Sequence, residues 1–508
     1  MAWPISADSF PTGGLIDMIS SWYLLVPVLL PIVCGLAVSF VKPLDHPKRR
    51  NPLTLAALAL VAVSLVPIFL QGNMRLTLFT LSDALPIFLQ TDTLGKVFAG
   101  VMAFVWLCAG AYSFGYMAHE ENQKRYYAFY LCTLGVLMAV CFSGSLPTFY
   151  MFYEFMTLLT VPMVMHTGKK DAVAAGIKYL IYSVAGASLV LLGIFLLSPY
   201  TDTFAFTAGG VLNMEKAAGH EGFILTVVFL MLLGFGAKCG LYPLHGWLPT
   251  AHPAAPSPAS AVLSGIITKG GVLGVMRLVF QFVGASFLQG TWVQIAFMSV
   301  VLFTVFMGSL LAYKENGFKK RLAYSSVSQL SYVLLGIATL HPLGLMGSLL
   351  HVCAHALIKN TLFMCAGSII HKTGKTQVPE LQGVGLRMPV TLWCFTLASV
   401  GLVGVPPCLG FLSKWYLAQG ALEITTVPGF FNWLAPAVLL ISALLTAGYL
   451  LPVSIRGFFA KEEGPVEKCE VSWKMLLPVI VLTSLSVVLG LCPQPLMQLF
   501  TSLSQGLM

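Results

Sequence analysis

Apolar runs of about 20 residues recur along this chain from one end to the other, and each is long enough to cross the roughly 30 Å hydrocarbon core of a bilayer. Only 9% of the 508 residues are Asp, Glu, Lys or Arg, whereas a soluble domain carries roughly 25%. So few charges cannot cover the surface of a soluble protein of this length. The sequence therefore predicts an all-α polytopic membrane protein surrounded by the lipid bilayer, and it excludes a soluble enzyme and a nucleic-acid-binding protein.

The apolar runs predict about fourteen transmembrane helices. The stretch 72–93, between the second and third runs, is too polar to span and is expected to lie on the outer face of the membrane. The predicted bounds, in chain order, are 20–41, 52–71, 94–118, 127–143, 146–166, 173–198, 221–247, 258–283, 288–313, 321–340, 346–371, 388–420, 432–459 and 475–500.

The basic residues predict the orientation of the chain. Alternate loops and the helix ends beside them hold most of the 28 Lys and Arg residues, for example the clusters at 48–50 and 319–321. The opposite set of loops holds only Arg75, Lys96 and Lys216. Because basic loops remain on the cytoplasmic side, we expect both termini on the outer side of the cytoplasmic membrane.

The cysteines and the phosphate-binding motifs bear on cofactors. None of the 11 cysteines belongs to a C-x-x-C pair, and an isolated cysteine in an apolar run is typical of a small buried hydrophobe. An iron–sulfur cluster needs several thiolates together. The chain also has no phosphate loop and no dinucleotide fingerprint. We therefore expect no cofactor and no metal in this chain, and we expect any redox chemistry to belong to other chains.

Two segments 164 residues apart share one pattern. Residues 240–248 (GLYPLHGWL) and 404–412 (GVPPCLGFL) both read G-x-x-P-x-x-G-aromatic-Leu. This match predicts that helices four to eight are duplicated as helices nine to thirteen, and a unit of five spans inverts its direction on duplication. Pro243, Pro406 and Pro407 predict breaks in helices seven and twelve, because proline removes a backbone donor. The predicted parts are 1–126, 127–283 (first repeat), 288–459 (second repeat) and 460–508.

Several ionisable side chains fall inside the predicted spans. A charge at membrane depth costs several kcal/mol, so such residues are candidates for function. Arg277 and Lys178 lie toward helix ends, where snorkelling to the interface is an equal alternative. The candidates deepest in their spans or nearest the predicted breaks are Glu154, Lys238, Lys269, Lys359 and Lys414.

The segment 238–277, KCGLYPLHGWLPTAHPAAPSPASAVLSGIITKGGVLGVMR, resembles the signature of the antiporter-like subunits shared by respiratory complex I (NADH-quinone oxidoreductase), Mrp-type multisubunit Na⁺/H⁺ antiporters and energy-converting membrane-bound hydrogenases. The strings YEF at 153–155, HALIK at 355–359 and GFLSK at 410–414 agree with it. The residues in these motifs resemble those of the antiporter D-type and hydrogenase-type subunits more than those of the middle subunits of complex I. The resemblance implies fourteen helices with two inverted five-helix repeats.

The resemblance also implies a proton relay through the centre of the membrane. In the family pattern Glu154 pairs with Lys238, although Lys178 is an alternative partner, and Lys269 follows as the next station. His351, His355 and Lys359 are spaced i, i+4 and i+8 and share one helix face. Histidine suits proton transfer near neutrality, but a satisfied core histidine is the alternative for both. A zinc site would lack a third ligand. Lys414 ends the relay.

Two further histidines flank the first predicted break. His245 and His252, with Lys178, either line a cytoplasmic access path or cap a turn. The leading hypothesis is therefore a proton-translocating subunit of a larger redox-driven complex, of the complex I or hydrogenase type, which works with other membrane subunits. The alternative is a D-type subunit of an Mrp Na⁺/H⁺ antiporter without redox coupling, in which Na⁺ uses the same cavity. A membrane scaffold that conducts no ion is a third hypothesis.

Overall fold

The computed structural model describes residues 21–82, 85–459 and 467–508. The predicted start of the first helix at residue 20 and the junction at 460 lie outside these residues. The helices longer than four residues are α1 (Val26–Phe40), α2 (Pro47–Leu70), α3 (Thr93–Tyr116), α4 (Gln123–Cys141), α5 (Leu146–Val164), α6 (Lys170–Leu197), α7 (Glu221–Cys239), α8 (Leu248–Ala254), α9 (Ser257–Val283), α10 (Trp292–Lys314), α11 (Phe318–Ala338), α12 (Pro342–Thr373), α13 (Pro389–Val403), α14 (Leu409–Leu422), α15 (Phe430–Phe459), α16 (Trp473–Leu491) and α17 (Gln494–Leu507).

Ten of the described helices are long and apolar enough to cross a membrane, so the chain is a multi-pass membrane protein. The helices α4, α5 and α11 do not meet this composition, although each has 19 to 21 residues. The reason is visible in α11, which carries Ser325, Ser326, Ser328, Gln329 and Ser331. All five side chains are buried inside the protein, where polar groups do not face lipid.

The stretch 72–93 is not purely irregular, which corrects the all-α expectation. It forms the strands β1 (Arg75–Thr80) and β2 (Pro86–Gln90), which pair antiparallel with a bulge between Thr77 and Phe79. At the start of β1, Leu76 is buried between the exposed Arg75 and Thr77, as expected of a strand with one buried face. The hairpin is joined to the turn between α4 and α5, because the amide of Gly144 donates to the carbonyl of Phe88.

Both predicted breaks are present, but they begin at a glycine rather than at a proline. α7 ends at Cys239, and Gly240 follows with a φ of 76°; α13 ends at Val403, and Gly404 follows with a φ of 89°. Only glycine adopts this conformation without a steric cost. Pro243, Pro406 and Pro407 lie inside the gaps, where the missing amide donors keep the helix from resuming. Helices predicted to run over 221–247 and 388–420 therefore stop at 239 and 403, and the chain resumes in α8 and α14.

The last predicted helix, 475–500, is also two helices. α16 ends at Leu491, and α17 begins at Gln494 after Pro493. α17 buries Phe500, Leu503 and Leu507 along one face. It packs on α12, where the Thr501 hydroxyl lies 3.1 Å from the sulfur of Met346.

The helices α9 and α12 form the centre of the bundle. The most apolar 18-residue stretch of each is wholly buried inside the protein. The helix α9 contains two π-helical segments, Leu263–Ile267 and Arg277–Val283. Such segments shift the register of side chains and are frequent at functional sites.

Candidate functional site

Lys238 lies in the last turn of α7 and is 1% exposed. Its Nζ atom donates to Thr157 Oγ1 at 2.7 Å, to the Tyr179 hydroxyl at 2.9 Å and to Ser183 Oγ at 3.1 Å. The same nitrogen lies 4.6 Å from the centre of the Tyr179 ring, in the geometry of a cation–π contact. Three neutral hydroxyls from α5 and α6 therefore satisfy this ammonium group.

Glu154 is not paired with Lys238 in this structure. The Glu154 side chain is half-buried, and its Oε1 atom has no hydrogen-bond partner among the described residues. Lys178 does not pair with it either, and its Nζ donates instead to Thr250 Oγ1 at 3.1 Å. Within the described part of the chain, neither lysine forms an ion pair with this carboxylate.

Lys269 is buried in the middle of α9, directly after the first π-helical segment. Its Nζ shares a hydrogen bond with Nδ1 of His355 on α12, and it donates to the carbonyl of Ser264 at 3.2 Å. The lysine and the histidine predicted from separate segments are thus in direct contact. This contact joins the first half of the chain to the second.

His351 is the second candidate histidine on α12, and it lies near His355. The rings of His355 and His351 have centres 6.2 Å apart, and His351 Nδ1 is 2.8 Å from the hydroxyl of Ser413 on α14. His351 also stacks on Tyr332 of α11, with ring centres 5.4 Å apart. The Nε2 atoms of both histidines are buried and have no hydrogen-bond partner among the described residues.

Lys414 follows Ser413 in α14. Its Nζ donates to the carbonyls of Leu402 and Val403 at 2.7 and 2.8 Å. These carbonyls belong to the last turn of α13, which the break at Gly404 leaves without amide donors. The end of a half-helix carries partial negative charge, so it is a suitable partner for an ammonium group. The side chain also borders a cavity of about 210 Å³ between α14 and α15.

Lys359 lies one turn beyond His355 on α12 and is completely buried. Its Nζ donates to the Ser325 hydroxyl and to the carbonyl of Leu322 at 3.0 Å, both on α11. Lys359 therefore lies one helical turn from the His355 of the Lys269–His355 pair, and its side chain binds α11. Neither partner carries a charge.

The remaining gap lies between Lys238 and Lys269. The helices α7 and α9 are in close contact there, since a Cβ atom added to Gly271 would lie 2.9 Å from Lys238 Cβ. No hydrogen bond between described side chains joins the two lysines. The structure thus gives two hydrogen-bonded pairs, Lys269 with His355 and His351 with Ser413, while Lys414 and Lys238 each bind their own separate partners.

The two histidines near the first break have different surroundings. His252 is fully buried in α8, where its ring lies 5.0 Å from that of Phe363, and neither ring nitrogen has a partner among the described residues. His245 lies in the gap before α8, half-buried, with its ring stacked on Tyr242. Lys178 donates to Thr250 rather than to either ring. The access path predicted from these three residues is therefore not assembled by hydrogen bonds within the described chain.

Sequence reasoning missed the polar groups that surround the lysines. They include Thr157, Tyr179 and Ser183 around Lys238. Gln329 of α11 was missed as well, and its side-chain oxygen and nitrogen are both buried without a partner among the described residues. The string SSVSQLS at 325–331 was a usable signal, because it places several polar residues close together inside a predicted span. The Lys238 hydroxyls gave no signal, since isolated Ser, Thr and Tyr are common in membrane helices.

The comparisons with known proteins agree with this fold. The family model described as NADH:quinone oxidoreductase/Mrp antiporter, transmembrane, matches residues 143–439, and the model of the complex I chain 5 N-terminus matches residues 80–127. The N subunit of the Desulforudis audaxviator NADH-quinone oxidoreductase is 32% identical over 91% of this chain and 94% of that protein. The D subunit of the Alkalihalophilus pseudofirmus Na⁺/H⁺ antiporter is 25% identical over 93% of this chain and 94% of that protein.

A solved structure has the same fold. A chain of the Mrp complex from Dietzia sp. superposes with a TM-score of 0.83 at 21% identity, over 96% of this chain and 97% of that chain. The identity to the NADH-quinone oxidoreductase relative exceeds the identity to the antiporter relative, whereas the motif wording favoured the D-type and hydrogenase-type subunits.

Proposed function

Because this chain belongs to the NADH:quinone oxidoreductase/Mrp antiporter transmembrane family, we propose that it translocates protons as one membrane subunit of a larger redox-driven complex. It is an antiporter-like membrane subunit of that family, and its partners in this proposal are the other membrane subunits of the assembly. The chain itself holds no cofactor in this proposal, so the free energy comes from redox chemistry on other chains.

The observation that carries the proposal is the hydrogen bond between Lys269 and His355. The His351 ring centre lies 6.2 Å from that of His355, and His351 is hydrogen-bonded to Ser413, which precedes Lys414 in the chain. Each of these side chains can accept or release a proton, or can relay one through a hydroxyl. Water completes the steps in which a ring nitrogen has no protein partner, as buried polar groups require. Lys359 exchanges protons with the same line from the α11 side.

Glu154 and Lys238 act as the switch at the other end of the line. A carboxylate that approached to about 4 Å would stabilise the charged lysine by roughly 4 kcal/mol at an effective dielectric near 20. The present arrangement, in which Lys238 donates to three hydroxyls, corresponds to the open switch. Closing requires Lys238 to leave at least one hydroxyl and Glu154 to turn inward.

The transmembrane arrangement in this proposal has fourteen crossings in two inverted repeats, with both termini on the outer side of the cytoplasmic membrane. The repeats comprise 127–283 and 288–459. Gly240 and Gly404, 164 residues apart, both have left-handed φ values at the end of a half-helix, which supports their equivalence. The polar helices α4, α5 and α11 count as crossings because their polar residues face the protein interior.

A second candidate function is cation/H⁺ exchange without redox coupling. The similarity to the antiporter relative from A. pseudofirmus, which extends over 93% of this chain, favours it. In this case the same cavity handles Na⁺. The two functions predict different behaviour when Na⁺ is removed.

The test is ion flux in vesicles that contain the intact complex, with and without Na⁺, for wild type and Lys238→Ala. Lys170→Ala, which removes an exposed lysine at the start of α6, is the matched control. We expect Lys238→Ala to abolish flux, Lys170→Ala to leave it unchanged, and wild-type proton flux to persist without Na⁺. A loss of wild-type flux without Na⁺ would favour the exchanger, and normal flux in Lys238→Ala would favour the scaffold hypothesis.

A further inference from the structure

A groove of about 580 Å³ lies where the first turns of α2 and α16 meet the last turn of α3. None of the buried lysines described above lines it. It opens to the outside of the bundle at the end of the helices that carries the basic loops. The lining residues that matter here are Lys48, Asn51, Leu55, Phe114, Lys474 and Leu477.

The helical spacing explains why these side chains converge. Lys48, Asn51 and Leu55 follow one another at intervals of three and four residues, so they form one stripe along α2. Lys474 and Leu477 form a second stripe on α16, and Phe114 of α3 also lines the groove. Each stripe runs from a lysine in the first turn of its helix to a leucine further along it.

The two lysines lie at the wrong ends of their helices for the helix dipole. Each occupies the first helical turn, where the macrodipole is positive and a cation is unfavourable by about 0.3–1 kcal/mol. Both side chains are exposed, and neither has an ion-pair partner among the residues that the structure describes. Two unpaired lysines that line one groove form a site for an anion.

A third polar group lines the groove. The side-chain Oδ1 position of Asn51 is buried and has no hydrogen-bond partner in the described part of the chain. An asparagine amide can present either its oxygen or its NH₂ group to a neighbour. Because that position is buried, the charged contacts of the groove come from the two lysines.

Below the charged level the groove is apolar. Leu55 is 40% exposed and Leu477 is 48% exposed, and Phe114 lines the same groove. Trp473, next to Lys474, is 65% exposed, and exposed tryptophans are typical of the membrane interface. A soluble anion would use the charged end and leave this apolar surface uncovered, whereas a phospholipid would cover both.

We propose that this groove is a binding site for an anionic phospholipid. Its phosphate lies between Lys48 and Lys474, and one acyl chain lies along Leu55, Phe114 and Leu477. Basic pockets between transmembrane helices recognise anionic headgroups in this way. The lipid would hold α2, α3 and α16 together without taking part in proton transfer.

The experiment uses the full chain, delipidated and reconstituted in nanodiscs, with native mass spectrometry of bound dioleoylphosphatidylglycerol against dioleoylphosphatidylcholine. We expect a preference for the anionic lipid that falls about thirtyfold in the double variant Lys48→Ala/Lys474→Ala, because each lysine near the membrane surface contributes about 1 kcal/mol. The control Lys314→Ala/Lys372→Ala removes two exposed lysines elsewhere and should keep the preference. Leu55→Trp fills the groove without changing its charge and should also abolish binding.

Three outcomes would overturn the proposal. The first is an unchanged lipid preference in Lys48→Ala/Lys474→Ala when its thermal unfolding matches that of wild type. The second is displacement of the lipid by millimolar inorganic phosphate, which would assign the site to a soluble anion. The third is loss of the preference when the chain is part of its intact complex, which would assign the groove to a neighbouring protein helix.

Discussion

The ion pair between Asp92 and Arg277 is the structural link between the hairpin end of α3 and the end of α9, and its removal should be costly. The Arg277 side chain is 2% exposed and makes two hydrogen bonds to Asp92, at 2.6 and 2.9 Å. It also donates to Gln281 Oε1 at 2.7 Å and to the carbonyl of Cys141 at 3.0 Å. Of the two positions that the sequence left open for Arg277, snorkelling and burial, the structure shows burial.

Asp92→Ala leaves a buried guanidinium without its counter-charge. Breaking a buried pair by removing one partner costs about 3–5 kcal/mol, and we take about 3 kcal/mol because Asp92 is itself 24% exposed. Arg277→Met in the Asp92→Ala background removes the uncompensated charge. The double variant should therefore be more stable than Asp92→Ala alone, with a coupling free energy of about 2 kcal/mol.

The assay is reversible unfolding of the full chain in mixed micelles, followed by helical circular dichroism as the fraction of sodium dodecyl sulfate rises. Asp202→Ala is the matched control, because Asp202 forms an exposed pair with Lys216 at 2.6 Å that should contribute less than about 1 kcal/mol. Strictly additive effects of Asp92→Ala and Arg277→Met, or equal effects of Asp92→Ala and Asp202→Ala, would refute the reasoning.

The same pair predicts a loss of stability in acid. Burial alone would raise the pKa of Asp92, but the charge of Arg277 and the hydrogen bonds from Arg277, Gln281 and Gly95 outweigh burial and hold the pKa below its ordinary value of 3.8. A carboxyl whose pKa is lower in the folded state contributes stability above its ordinary pKa. We therefore expect the free energy of unfolding to fall as the pH drops below about 4, and to fall less in Asp92→Ala.

Two further predictions concern the buried lysines. Gly404→Ala should lower flux and cost about 1–2 kcal/mol of stability, because Gly404 has a φ of 89° and an added Cβ would lie 2.9 Å from Lys414 Cδ. The control Gly429→Ala, whose added Cβ meets no atom within 4 Å, should change neither flux nor stability. Equal effects of the two variants in vesicle flux and unfolding assays would contradict this. Tyr179→Phe should shift the pH profile of proton flux, because it removes one of three hydroxyls that accept from Lys238, and an unchanged profile in the vesicle assay would show that this hydroxyl does not govern the lysine.

The sequence was sufficient to identify the buried charges but not their partners. Lys238, Lys269 and Lys359 lie in long apolar runs, and a charge there must be buried because lipid would not tolerate it. The contact between Lys269 and His355 joins residues 86 positions apart, and no local pattern encodes such a pairing. Glu154 is half-buried and is not paired with Lys238. Its direction depends on how α5 is rotated about its axis, and the sequence of a helix that is apolar on nearly all sides does not predict that rotation.

The breaks show the same division between local and tertiary information. Proline indicated that helices seven and twelve are interrupted, since the loss of a donor is a local property. The first non-helical residue is set by Gly240 and Gly404, whose left-handed φ values depend on how the gaps fold back over α8 and α14. The hairpin at 72–93 was missed because its polar alternation reads equally well as a loop outside the bilayer.

The burial of α9 and α12 limits how this protein can move. A helix that faces lipid can tilt or slide at little cost, because lipid chains rearrange around it. Here the apolar stretches of α9 and α12 are surrounded by protein on every side, and a close-packed interior resists displacement. Lys269, His355 and Lys359 are therefore held by two fixed helices, so the proton transfer proposed above would proceed by side-chain rotation and proton hopping while α9 and α12 stay in place.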